Sequence, residues 1–177
     1  MPARILIADD SAQNLLVASR HLESVGHQVL TASTGEQALA ILAQDRFDLV
    51  ILDVLMPGIG GFETCRRMRG DAALRELPVL FMTALGDRDA TAPALEAGAD
   101  DLLAKPFTRS ELLLRTSALV RQHRAAQKRR TEAGNERARI LASVVRLREL
   151  TKTLDGDAAT RLSEELANLE QSCAGAI

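Results

Sequence analysis

The chain switches five times between a short apolar run and an amphipathic stretch, and this alternation limits the fold more than any other feature. The runs are Arg4–Ala8, Gln28–Ala32, Asp48–Leu52, Pro78–Met82 and Asp101–Ala104. The amphipathic stretches are Ala12–Val25, Glu36–Gln44, Phe62–Arg69, Asp87–Ala97 and the sequence from Ser110 onward. Strand and helix alternating at this spacing predict βαβ units around one parallel sheet. Runs such as DLVIL lack polar alternation, which suits strands covered on both faces. Right-handed crossovers then place helices on both sides, giving a doubly wound α/β fold of five parallel strands.

Local signals refine the boundaries. Asp10 with Gln13 predicts a capping box at the first helix, and Thr108 with Glu111 predicts one at the fifth. Gly26, Gly70 and Gly98 fall where helices should end. Pro93 cannot sit deep in a helix without losing a hydrogen bond. It is therefore expected in the first turn of a short fourth helix, capped by Thr91 or Ala92.

From Ser110 the helical pattern runs past the end of a compact domain. A 4–3 seam passes through Leu119, His123, Ala126, Arg130, Ala133, Arg137, Ile140, Val144, Leu147, Thr151 and Leu154. Its misfits cluster between His123 and Arg137, so that stretch makes a poor coiled coil, and Gly134-Asn135 could break it. Asp155-Gly156-Asp157 reads as a turn. Leu162, Leu166, Leu169 and Cys173 then share one helical face. The expected organisation is a domain over 1–120 and a helical extension over 121–177. The extension comprises a prolonged fifth helix (121–154), a turn (155–157) and a final helix (158–173), with Ala138–Leu154 folding against Ala158–Cys173 as a hairpin.

Charge follows the same division. Residues 1–120 carry 11 basic and 16 acidic side chains, 121–154 carry 10 and 3, and 155–177 carry 1 and 5. The last block can therefore complement the second. Trp and Tyr are absent and Phe occurs four times, which argues against a base-stacking surface for single-stranded nucleic acid. No apolar run approaches the ~20 residues of a spanning helix. The N-terminal MPARILIADD has no secretory pattern, so a cytoplasmic location is expected. Cys65 and Cys173 fit no metal or redox spacing and read as small buried hydrophobes. His21, His27 and His123 are scattered, and His123 is expected to be exposed on its helix.

In parallel α/β sheets, functional groups gather at the carboxyl ends of the strands. The first strand is followed by Asp9 and Asp10, and the third by Asp53. The fourth ends at Thr83 and the fifth at Lys105-Pro106. With strand order 2-1-3-4-5, strands one and three are neighbours and three carboxylates meet at one edge. Any one of these residues alone is a common cap, turn or surface residue. Three clustered anions repel and need a counter-charge. A hard divalent cation with oxygen ligands supplies one, and Mg²⁺ pairs one or two carboxylates with water and phosphate oxygens. Lys105 offers a mobile point charge and Thr83 a hydroxyl donor. Such a set is suited to receiving a phosphoryl group on a carboxylate.

The segments ILIADD, DLVILDVLMPGIGGFE, FMTA and GADDLLAKPFTRSEL, spanning residues 3–120, closely resemble the receiver domain of bacterial two-component response regulators. The resemblance implies a flavodoxin-like fold and a phosphorelay role. Asp53 would be the phosphoacceptor. Asp10 would ligate Mg²⁺ directly, Asp9 would act partly through water, and the Leu55 carbonyl would complete the protein ligands with Asp53. Thr83 and Lys105 would bind the phosphoryl oxygens, and Lys105-Pro106 would be a cis peptide. The donor would be a sensor histidine kinase or a phosphotransfer protein. The glycines of MPGIGGFE lack the P-loop pattern and suit a loop over the site.

Two departures from the family pattern carry expectations. Leu102 stands where the family usually has an aromatic ring, so signalling is expected through altered packing or mobility of the fourth helix and fifth strand and not through a ring flip. Leu55 and Leu85 flank the hydrolytic water route with apolar side chains, which predicts slow self-dephosphorylation.

Residues 121–177 show no helix-turn-helix, cyclase, HD-type or ANTAR-like signature, and no enzymatic activity is expected. Three outputs fit. The hairpins can pair into a homodimeric four-helix bundle through Ile140, Val144, Leu147, Leu162, Leu166 and Leu169. The basic stretch of Arg121, Arg124, Lys128, Arg129, Arg130, Arg137 and Arg139 can bind nucleic acid, although a solvated face explains it more simply. The helices can also dock on a downstream protein partner as an adaptor.

Overall fold

The computed structural model describes residues 2–84, 87–151, 162 and 164–168, with the backbone alone for 87–91, 150 and 151. Five parallel strands, β1 (Arg4–Ala8), β2 (Gln28–Ala32), β3 (Leu49–Asp53), β4 (Val79–Thr83) and β5 (Asp101–Ala104), alternate with helices. The helices are α1 (Ala12–Glu23), α2 (Gly35–Leu42), α3 (Gly61–Gly70), α4 (Asp87–Ala97) and α5 (Arg109–Thr151). The sheet order is β2-β1-β3-β4-β5, the flavodoxin-like order expected from the sequence. β3 and β4 start and end one residue later than the apolar runs suggest. Both are buried along their whole length, whereas β2 lies at the sheet edge and is largely open.

Side chains alternate across the sheet, so each strand feeds two cores. Leu6, Val50, Leu52 and Phe81 pack on one face with Cys65, Met68 and Ala94. Ile5, Ile7, Ile51, Leu80 and Met82 pack on the other with Ala18, Leu22, Leu112 and Leu119. Cys65 is buried, as its apolar setting suggests. Phe81 is fully buried and meets Phe62 edge-on at 5.1 Å between ring centroids.

Several local expectations change. The first helix is capped by Ser11, whose Oγ accepts the Asn14 N–H, and not by Asp10. The cap moves because Asp9 accepts the Ser11 N–H at 2.9 Å and holds Ser11 extended. The second box forms as expected: Glu111 accepts the Thr108 N–H at 2.7 Å, and Thr108 Oγ1 accepts the Glu111 N–H at 3.2 Å. Gly26 and Gly98 adopt the left-handed conformation after their helices, while Gly70 is the last residue of α3.

Pro93 lies inside α4, not in its first turn. Its ring has no N–H for the Asp89 carbonyl, so the helix loses one bond at its middle. Beyond Pro93 the helix end is held from outside, because the Arg69 guanidinium donates to the Gly98 carbonyl at 2.9 Å and to Asp100 at 2.8 Å. Gly134-Asn135 does not break α5, which continues to Thr151. A single glycine costs a helix only ~1 kcal/mol, and strong helix formers surround this one.

His123 is half-buried, not exposed. Burial lowers its pKa against the opposing charges of Asp48, Asp100 and Glu76. Its neighbour Arg124 donates to both Asp48 oxygens, at 2.8 and 2.9 Å, and to the Pro2 carbonyl at 2.6 Å.

The chain divides into two compact units, residues 1–125 and 126–177. Among the described residues of the second unit, Val144 and Leu166 are buried, while Ile140, Val145, Leu147 and Leu162 are exposed. The turn expected at 155–157, and Leu154, Leu169 and Cys173, lie outside the described residues.

Candidate phosphoacceptor and metal site

The strand ends bring the expected acids together. Ala8 is in register with Leu52, so Asp9 and Asp53 follow side by side at the carboxyl edge. Ligand oxygens of Asp9, Asp10 and Asp53 all lie within 4.8 Å of one another. Asp9 and Asp53 are buried, and Asp10 faces solvent.

The β4 and β5 ends add the other two groups. Thr83 is in register with Ala104 and is buried. The Lys105 N–H donates to the Thr83 carbonyl at 2.7 Å, which fixes the lysine where β5 ends. Lys105 Nζ lies 2.7 Å from Asp9 Oδ2 and 3.0 Å from Asp53 Oδ2. It is an anchored bridge between two buried carboxylates, where the sequence suggests a mobile charge. The Lys105-Pro106 bond is cis, as the resemblance implies. Leu55 opens the loop after β3, with its side chain exposed. Leu102 is half-buried and packs against the core shared by α2, α3 and α4. Leu85 lies outside the described residues.

Sequence reasoning misses Asn14. Its side-chain amide donates to Asp9 Oδ1 at 3.0 Å and Oδ2 at 3.1 Å. Asp9 therefore accepts from Ser11, Asn14 and Lys105 together, which explains how a fully buried carboxylate is tolerated. The available signal was position: Asn14 sits in the first turn of α1, directly after the strand end. Gly61 is also part of the site, since a Cβ there would collide with the Asp53 carbonyl and come 3.1 Å from the Phe81 ring.

The electrostatics leave a deficit of positive charge. Two like charges at 4–5 Å repel by about 4 kcal/mol at an effective dielectric of 20. Three carboxylates face one ammonium. Burial pushes the Asp53 carboxyl above its ordinary range, the Asp9 charge adds to this, and Lys105 opposes it. The hard oxygen donors, their convergence and the uncompensated charge fit a small divalent cation such as Mg²⁺.

A family model described as the response regulator receiver domain matches residues 5–117. The chain belongs to the response regulator receiver family. Among curated relatives, this receiver is 38% identical over 143 residues to response regulator PleD of Caulobacter vibrioides, covering 80% of this chain and 32% of that protein. It is 43% identical over 122 residues to response regulator MprA of Mycolicibacterium vanbaalenii, covering 69% of this chain and 52% of that protein. The receiver thus spans about a third to a half of the length of these relatives.

Among solved structures, a putative response regulator from Chloroflexus aurantiacus superposes with a TM-score of 0.66 at 38% identity, covering 68% of this chain and 98% of that one. Chemotaxis response regulator CheY4 of Vibrio cholerae superposes with a TM-score of 0.64 at 32% identity, covering 67% and 99%. The receiver domain of sensor histidine kinase PA1611 of Pseudomonas aeruginosa, solved with a magnesium ion coordinated in its active site cleft, gives 0.64 at 29% identity, covering 68% and 98%. Membership in the family places the chain in two-component signalling.

Proposed function

We propose that Asp53 accepts a phosphoryl group from the phosphohistidine of a sensor kinase or phosphotransfer protein, in a reaction that depends on Mg²⁺. The observation that carries this reading is the Lys105 ammonium held within 3.0 Å of both Asp9 and Asp53. It is a cation at the spot where incoming phosphoryl oxygens need one.

Asp9, Asp10, Asp53 and the Leu55 carbonyl would hold Mg²⁺, which when bound neutralises carboxylate and phosphoryl charge. An Asp53 carboxylate oxygen attacks phosphorus, a P–O bond forms, the P–N bond to the donor histidine breaks, and that imidazole regains a proton. Lys105 pairs with the transferred oxygens, and the Thr83 hydroxyl donates to them. Thr83 and Lys105 are joined through the Thr83 carbonyl, so a change at the phosphoryl group reaches both strand ends.

The receiver occupies 1–120, and the helical extension 121–177 supplies output through homodimerisation or docking on a protein partner. Exposed Ile140, Leu147 and Leu162 support this, being apolar side chains without cover in the second unit. Nucleic acid is the weaker alternative. Arg124 is committed to Asp48, Lys128 lies 3.7 Å from Glu132, and Arg139 lies 3.5 Å from Glu136, which thins the basic stretch. The protein acts as a signalling switch in the cytoplasm and not as an enzyme. None of the described helices is long and apolar enough to cross a membrane.

Acetyl phosphate tests the reading. With Mg²⁺, intact mass spectrometry should find one added phosphoryl group, lost in Asp53→Asn and when Mg²⁺ is chelated. Modification that persists in Asp53→Asn would refute Asp53 as the acceptor.

A further inference from the structure

The loop after β3, residues 55–60, joins the phosphoacceptor to α3 and carries the Leu55 carbonyl. Its base is closed by the Gly61 N–H, which donates to the Val54 carbonyl at 3.0 Å. Its far end is held by another element. The Ile59 N–H donates to Glu36 Oε1 at 3.0 Å, across 23 residues of sequence. Glu36 lies in the first turn of α2, a helix capped by Thr34.

The fit around this contact is close. Gly58 has φ +76°, and a Cβ there would come 2.5 Å from Glu36 Oε1 and 2.9 Å from Oε2. Gly35 lies against the same loop, since its Cβ would come 2.6 Å from both the carbonyl oxygen and the Cγ1 of Ile59. Two glycines thus let the loop and α2 approach until a carboxylate reaches a main-chain N–H. Hydrogen bonds from its own N–H and from Ile59 hold the Glu36 carboxyl below its ordinary range.

We propose that Glu36 is a positioning residue of the phosphoacceptor site, tethering the loop from α2 and so fixing the Leu55 carbonyl that the Mg²⁺ reading assigns as a ligand. The proposal rests on the reading of this cluster as a Mg²⁺ site. Glu36 touches neither metal nor phosphoryl group. It acts on the loop alone, as groups behind metal ligands commonly do.

The test uses the full chain with Glu36→Ala and Glu36→Gln. In metal-free protein, Ile59 amide hydrogen exchange should quicken about tenfold in Glu36→Ala, the loss expected for one charge-assisted hydrogen bond. Calorimetric Mg²⁺ affinity should fall about tenfold in the same variant. Glu36→Gln keeps an oxygen that accepts the Ile59 N–H and should recover most of both. Faster exchange with unchanged Mg²⁺ affinity would make the tether purely structural and overturn the proposal. Unchanged exchange in Glu36→Ala would overturn it at the hydrogen bond. A wild-type protein that takes up no Mg²⁺ would remove the underlying metal reading first, and this proposal with it.

Discussion

Replacing Lys105 by methionine isolates the charge at the centre of the site while keeping most of the side-chain volume. The ammonium is 2.7 Å from Asp9 and 3.0 Å from Asp53, and the three side chains are only 15%, 0% and 10% exposed, so solvent screens them weakly. Removing one partner of a buried ion pair costs 3–5 kcal/mol. Asp9 keeps its bonds from Ser11 and Asn14, which places the expected loss near the lower end, about 3 kcal/mol. In urea this is a midpoint shift of about 1.5 M for a domain of this size. The chain has no Trp or Tyr, so far-UV circular dichroism is the suitable signal. Two controls separate charge from packing. Lys105 opposes the rise in the Asp53 pKa, so its removal raises that pKa further above the unfolded value. The folded variant then binds more protons than folded wild type and recovers relative stability as pH falls through that pKa. Saturating Mg²⁺ should also narrow the gap, since a bound cation replaces the missing charge. A loss that is equal in chelator, in Mg²⁺ and at acid pH would refute the electrostatic account and leave only packing of the lysine stem.

Other perturbations read the same structure. Asp53→Asn should stabilise the metal-free protein at neutral pH by about 1–2 kcal/mol in urea unfolding, because one of three clustered like charges is gone. The gain should fade as pH falls through the raised Asp53 pKa, where protonation gives wild type the same relief. Arg124→Ala should cost about 2 kcal/mol at neutral pH through its bonds to Asp48. Burial alone would raise the Asp48 carboxyl, but hydrogen bonds from Arg124 and the Arg4 N–H outweigh it and hold it low. That stability is present above the unfolded pKa and lost as pH falls through the folded one, so variant and wild type should converge in acid. Leu55→Asn should speed phosphate release from the phosphorylated protein in a time course, since an amide can orient the attacking water. Ile140→Lys with Leu147→Lys should convert a dimer to a monomer by light scattering, and a wild-type monomer would rule out the bundle.

The two central strands β3 and β4 are legible because their apolar runs coincide with complete burial, as at Leu49–Leu52 and Val79–Met82. The site was legible because chemistry at a parallel sheet's carboxyl edge needs only the strand ends, and Asp9, Asp53, Thr83 and Lys105 each follow or close one. What escaped depends on contacts between distant segments or on local competition. Arg124 and Asp48 are 76 residues apart, and no periodicity on α5 distinguishes that arginine from its exposed neighbours. Asp10 looked like the better cap, but Asp9 takes the Ser11 N–H and hands the capping position to a serine. Pro93 sits mid-helix against the local rule because packing decides there: Ala94 and Ala97 on its C-terminal side are buried in the core, and Arg69 fixes the turn beyond.

Lys105 shows most clearly what geometry adds to composition. A lysine after a strand is ordinarily solvated, and its sequence position says only that a charge is near. In the fold its ammonium already bridges the carboxylate that would receive phosphorus and the one beside it. A phosphoryl group on Asp53 would place new anionic oxygens beside this ammonium, and Asp9 would then compete for it. Asn14 lets Asp9 yield the lysine without being left bare, because the amide still donates to both of its oxygens. The same change at the Lys105 side chain is linked through its backbone N–H to Thr83, and so to the end of β4. This route needs no aromatic ring at position 102, where Leu102 packs against the core on the α4 side. Hydrogen exchange with and without a phosphoryl mimic should therefore change protection in α4 and β5 despite the leucine, and identical protection in both states would remove these elements from the switch.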